Sequence, residues 1–156
     1  MTGAYLQLGY VTNDFDRAIA LLGDLHAMGP FKEMRDLTIG ARDGKDVTCH
    51  FGLAFKGGTQ FEIIHPLSGD SEFYTQALPA GDAFSMVLHH TGHYHPDPST
   101  YARAKADAEA KWDKPVDHAI FDGGYCYFDA RADFGHYLEL YCFPPQTHFD
   151  GVPAYQ

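Results

Sequence analysis

Two stretches of this chain follow the same order of patterns, and an internal repeat narrows the choice of architecture more than any single motif does. In the first, Tyr5 to Val11 (YLQLGYV) reads as a strand. NDFDRAIALLGDLHAMGP then reads as a helix capped by Asn13 or Asp14, with Ala18, Ile19, Leu21 and Leu22 at helical spacing and Gly29 and Pro30 as its end. Three β-like segments follow, DLTIGAR, VTCHFGLAFKG and TQFEIIHP, separated by the turn sequences Arg42-Asp43-Gly44-Lys45 and Lys56-Gly57-Gly58. The second stretch restarts at FSMVLHHTGHY, breaks at HPDPST and continues as a helix from Thr100 to Trp112. Three β-like segments come again: VDHAIF, YCYFDARAD beyond the turn Asp122-Gly123-Gly124, and HYLELYCFPP. The prediction is an α+β chain of two tandem βαβββ modules, at about residues 4–66 and 84–145. A polar linker spans 67–83, and 146–156 forms an extended tail whose aromatics pack on something.

Composition is compatible with this plan and removes several function classes. A chain of 156 residues with 45% hydrophobic content can bury a single core, so one domain is expected. Twelve Phe and ten Tyr suit strands that pack on one face and line a cavity on the other. Eleven Lys and Arg against 21 Asp and Glu give a formal charge of -10, which repels phosphate backbones and anionic headgroups. No nucleic acid or membrane partner is therefore expected. The N-terminus lacks a basic segment followed by an apolar run, and no stretch nears the roughly 20 apolar residues a spanning helix needs, so the expected location is cytoplasmic. Cys49, Cys126 and Cys142 are odd in number and show no CxxC spacing, which reads as buried thiols.

Acidic residues inside apolar strands carry the chemistry, because an unpaired buried carboxylate costs several kcal/mol and a metal is one of few partners that offsets it. Glu62 in FEIIHP and Glu139 in LELYCFP hold matching places near the ends of the two halves. Alternation puts Gln60, Glu62 and Ile64 on one strand face, and Tyr137, Glu139 and Tyr141 on another. In the opening strands Gln7 interrupts one apolar run and the pair His89-His90 the other. Register favours His90, since His90-Thr91-Gly92 takes the place of Gln7-Leu8-Gly9, and a one-residue slip would exchange it for His89. One imidazole with three oxygen donors, two of them anionic, suits Zn, Ni, Co, Mn or Fe with room for water or substrate.

The repeated strand-helix opening, FEIIHP and FGHYLELYCFPP together resemble the vicinal-oxygen-chelate superfamily over nearly the whole chain. That superfamily includes glyoxalase I, methylmalonyl-CoA epimerase, extradiol dioxygenases and fosfomycin or bleomycin resistance proteins. The resemblance implies a cup-shaped mixed β-sheet with flanking helices, and metal ligands at Gln7, Glu62, His90 and Glu139. The order Gln, Glu, His, Glu is similar to that of one class of glyoxalase I. Gln7 stands where the dioxygenases carry His, which weakens the ring-cleavage reading. The resemblance also implies a homodimer, in which some members build the site from two chains.

The expected function is divalent-metal-dependent proton transfer next to a carbonyl of a small hydrophobic or aromatic molecule, with Glu139 or Glu62 as base. Tyr10, Phe51, Tyr127, Arg131 and Tyr137 are the candidate substrate contacts. Arg131 is the single cation placed near an active strand, which gives thin support for glutathione carboxylates. His93 and His95 read as loop or dimer-contact residues, and His50 and His136 as hydrogen-bonded structural groups. The competing reading is a metal-free protein that sequesters a hydrophobic or cationic small molecule between the modules.

Overall fold

The computed structural model describes residues 6–40, 44–112, 116–118, 124–142 and 150–155. The first module builds β1 (Leu6–Thr12), α1 (Phe15–His26), β2 (Lys32–Gly40), β3 (Asp46–Lys56) and β4 (Thr59–Gly69). A short helix, α2 (Glu72–Thr75), leads to β5 (Met86–Tyr94), α3 (Pro98–Trp112), β6 (Val116–His118), β7 (Tyr125–Phe128), α4 (Arg131–Phe134) and β8 (Tyr137–Tyr141). A last strand, β9 (Ala154–Tyr155), runs parallel to β3.

The strands form one curled mixed sheet in the order β2-β3-β4-β1-β5-β8-β7-β6, with β9 off this path. Each module has the same internal order, its first strand parallel to its last. The two first strands, β1 and β5, meet antiparallel, so the modules are related by a pseudo-twofold axis through that seam.

The helices form where caps and apolar spacing agree. Asp14 Oδ1 accepts from Arg17 N at 3.1 Å at the start of α1, and Phe15, Ala18 and Leu22 turn one buried stripe onto the sheet. There they join Met28, Phe31, Ala54 and Ile63. Asp97 caps α3 by accepting from Ser99 N and Thr100 N. Its buried face is only Ala104 and Ala108, small enough to lie against Cys126, Phe128, Leu138 and Leu140. Both long helices thus cover one sheet face. The opposite, concave face holds Val11, Cys49, Phe51, Ile64 and Tyr74 in module one, and Tyr94, Tyr125, Tyr127, Tyr137 and Tyr141 in module two.

Several boundaries differ from the sequence reading. α1 stops at His26, where Ala27 takes a left-handed conformation (φ 50°), ahead of Gly29 and Pro30. YCYFDARAD is not one strand: β7 ends at Phe128 and Arg131–Phe134 turns helical, closed by Gly135 at φ 79°. The linker is not bare, because β4 continues to Gly69 and α2 follows. The tail, by contrast, is extended and packed as expected, with Ala154–Tyr155 forming β9 on β3. The segments expected at Tyr5, 41–43, 119–123 and 143–149 lie outside the described residues. All three cysteines are buried thiols outside any disulfide, and burial pushes the Cys49 thiol up to about 12. Among the described residues no helix is long and apolar enough to cross a membrane.

Candidate metal centre

The seam between the modules determines which side chains meet. Across β1 and β5, Gln7 stands opposite Gly92 and Gly9 opposite His90. On the parallel sides Gly9 is level with Glu62, and Gly92 with Glu139. Each module's first-strand polar group therefore lies over the other module's glycine. A Cβ at Gly9 would overlap the His90 imidazole, and one at Gly92 would overlap Gln7 Oε1 and lie 2.9 Å from Glu139 Oε2. Glycine is needed at both places for space.

His90 Nε2 is 3.2 Å from Glu62 Oε2 and 3.3 Å from Glu139 Oε2. The three ligand atoms all fall within 4.8 Å of one another, an arrangement that can hold a metal ion. His90 is fully buried, and the Glu139 and Glu62 side chains are only 8% and 12% exposed. Burial alone would lower the His90 pKa, but Glu139 and then Glu62 outweigh it and raise it to about 9. Without metal the imidazole is thus a cation between two carboxylates. Nε2 is in ion-pair reach of both oxygens, yet its alignment satisfies a hydrogen bond with neither. Glu139 Oε2 and Gln7 Oε1 are likewise buried without hydrogen-bond partners. Orphaned buried donors and acceptors that converge on one point are the signature expected of an ion site, so the residues fit a divalent metal.

Gln7 joins the set through its carbonyl oxygen. Its Nε2 donates to Gln60 Oε1 at 3.0 Å, and Tyr141 Oη donates to the same oxygen at 3.4 Å, which leaves Gln7 Oε1 beside Glu139 above Gly92. Gln60, fully buried, was not singled out from the sequence, although it shares the face of Glu62 two residues earlier.

His89 enters the sequence reading only as an alternative to His90, and the structure buries it beside His90 instead. Simple alternation would send one histidine of the pair outward, yet both are buried, at 1% and 0% exposure. A bulge explains it: the β1–β5 register steps from Gly9 opposite His90 to Tyr10 opposite Leu88, leaving His89 unpaired and free to turn inward. The doublet inside an apolar strand was the available signal.

The remaining candidates separate by face. Tyr127 lies beside the centre, its ring 5.2 Å from His90, and burial first and Glu139 second raise its pKa, so it stays a neutral phenol. Tyr137 shares that face and accepts from Gln76 Nε2 through its hydroxyl. Phe51 sits on the concave face of module one. Tyr10 is corrected: it packs with the α1 cluster on the other side of the sheet from Gln7. Arg131 is exposed at the rim, in a two-point pair with Asp129 and stacked 4.7 Å over Tyr137. His93 lies within β5 and not in a loop, whereas His95 follows the end of that strand as expected and is 1% exposed. His50 accepts from Asp36 N and His136 bonds Thr91 Oγ1, both as structural groups.

The concave side is closed by α2. The Phe73 ring lies 4.9 Å from His89, 4.9 Å from Tyr127 and 4.8 Å from Tyr137, while Tyr74 is 1% exposed beneath. A cavity of about 330 Å³ lies elsewhere, on the α3 face, lined by Thr91, His93, Trp112 and Leu138 among others; the sheet separates it from the carboxylates.

Paired βαβββ modules joined through antiparallel first strands form the cup-shaped α+β fold that the sequence resemblance implied. Among solved structures the chain is similar to a methylmalonyl-CoA epimerase of Streptomyces coelicolor in complex with 2-nitronate-propionyl-CoA (TM-score 0.58, 14% identity, 90% of this chain and 98% of that one). It is also similar to the methylmalonyl-CoA epimerase of Mycobacterium tuberculosis (TM-score 0.53, 11% identity, 94% and 95%). A hypothetical protein from Bacillus halodurans matches with TM-score 0.53 at 14% identity over 92% and 96%. No protein-family model matches the sequence, and no curated protein does.

Proposed function

We propose that this chain is a divalent-metal-dependent enzyme that moves a proton next to the carbonyl of a small hydrophobic molecule, in isomerase, epimerase or glyoxalase-type lyase chemistry. The observation that carries the reading is the meeting of Glu62, His90 and Glu139 in a buried centre, with Gln7 Oε1 orphaned beside them. Zn, Ni, Co, Mn and Fe all accept one imidazole with oxygen donors. A bound ion of this kind supplies Lewis acidity to the negative charge that develops on oxygen as a carbon-bound proton leaves.

The chain's own groups do the rest. Glu62 and Glu139 enter from opposite modules, so one carboxylate takes the carbon proton and either the same or the facing one returns it. Tyr127, held neutral, offers a hydroxyl group near His90, and the tyrosine-rich face excludes water. Arg131 is at the rim and already paired with Asp129, which favours a substrate of little negative charge over the CoA thioester carried by one neighbour. We place all four ligands on one chain, with a complete centre in each copy of a homodimer.

Elemental analysis combined with proton exchange tests this. Wild-type protein is expected to hold about one equivalent of metal and to exchange α-protons of small carbonyl compounds for deuterium. Chelator-stripped protein should lose that activity and regain it on metal addition, while Glu139→Ala should lose both metal and turnover. Wild-type protein that holds no metal, shows no metal-dependent turnover and binds hydrophobic or cationic molecules would replace this reading with sequestration.

A further inference from the structure

His89 has no part in the ligand set, yet it is buried against it with both ring nitrogens engaged. Its Nε2 is 3.1 Å from the Phe73 carbonyl oxygen, and its Nδ1 is 3.1 Å from His90 Nδ1. A carbonyl oxygen only accepts, so His89 Nε2 carries a hydrogen and donates. A ring only 1% exposed stays neutral and carries one hydrogen, and with that hydrogen on Nε2 its Nδ1 is bare. Between two Nδ1 atoms at hydrogen-bond distance one must donate, and that one is therefore His90. The hydrogen on His90 Nδ1 leaves Nε2 as the only nitrogen able to face Glu62 and Glu139 as a ligand.

We propose that His89 is a positioning residue: anchored by its N–H to the Phe73 carbonyl of α2, it accepts from His90 Nδ1 and so fixes the orientation and tautomer in which His90 Nε2 faces the two carboxylates. A ligating imidazole whose second nitrogen is fixed by a hydrogen bond is more basic and better oriented than an unsupported one. The support is unusual in reaching outside the strands. Phe73 belongs to the segment joining the modules, and its ring packs on His89, Tyr127 and Tyr137. One residue thus closes the concave face with its side chain and orients the histidine pair with its backbone.

The inference rests on the metal reading, and its test has one arm that does not. Long-range proton–nitrogen NMR spectra of wild-type protein, with and without zinc, report which nitrogen of each imidazole is protonated. Hydrogen on Nε2 of His89 and on Nδ1 of His90 is expected in both states, and hydrogen on His89 Nδ1 would overturn the proposal. The second arm titrates zinc and cobalt into chelator-stripped variants against a competing chelator. His89→Phe keeps the ring packing but has no acceptor, and is expected to weaken zinc binding by about 10–100-fold. His89→Gln retains both an acceptor and a donor, and should restore most of the loss. Equal zinc affinity in His89→Phe and wild type would overturn the proposal, as would a loss in His89→Gln as large as in His89→Phe. If His89→Phe fails to fold, the NMR arm decides. Wild-type protein that binds no metal would refute the proposed function, while the tautomers in that protein would still decide the role of His89.

Discussion

His90 occupies a position that no larger backbone neighbour would permit. Its ring lies on the Cα of Gly9, and the site of a Cβ there is already filled by imidazole atoms. Gly9→Ala is therefore expected to cost about 1–3 kcal/mol in urea unfolding, as overpacked interiors do. It should also weaken zinc binding more than tenfold, because the displaced ring is hemmed in by His89 and Tyr127. Gly92→Ala meets the more pliable end of Gln7 and should lose less on both measurements. Aligning the two halves of the sequence was enough to single out Gln7, Glu62, His90 and Glu139, which the structure brings to one place. It was not enough for Gly9, Gly92 or His89. A glycine's role depends on what crosses over it from another strand, and a bulge suspends the alternation on which facing arguments rest.

At the scale of elements, α1, α3 and the three-stranded runs were legible because each carries its own cap or period. α2 was not: its four residues sit in a polar stretch, and Phe73 and Tyr74 are held by the concave face of the sheet, a tertiary effect that local pattern does not encode. α3 offers a test of local chemistry. Its buried face is two alanines with Tyr101 and Trp112 partly buried beside them, and its cap adds to that packing. The hydrogen bonds from Ser99 and then Thr100 lower the Asp97 pKa from 3.8 to about 2. A carboxylate lowered on folding stabilises above its unfolded pKa and loses that contribution as pH falls through the folded one. Asp97→Ala should thus lower Tm by on the order of 2–4 °C at neutral pH. The gap from wild type should narrow between pH 4 and pH 2 in thermal melts. A gap unchanged down to pH 2 would remove the charge from the explanation.

For the whole molecule, the decisive fact is that Glu62, His90 and Glu139, which could hold a metal ion, come together from both modules across one seam. Binding at such a place stabilises the joined state, so calorimetry should show one unfolding transition whose midpoint rises with zinc concentration. At a free zinc concentration 100 times Kd the expected gain is about 2.7 kcal/mol. Glu139→Ala should fold yet show no such rise, and two separate transitions would mean that the modules unfold independently. In the zinc-free centre one imidazolium faces two of the 21 acidic residues, a net charge of only -1 in a buried place that salt screens weakly, so salt should change the zinc-free midpoint with little effect on the zinc-dependent increment. The exchange of Gln7 over Gly92 and His90 over Gly9 also bears on how such a chain changes over generations. Each half keeps a bare position for the benefit of the other half's side chain. A duplicated module is normally free to diverge from its twin, but here a substitution inherited in one copy is judged by what it does to the other.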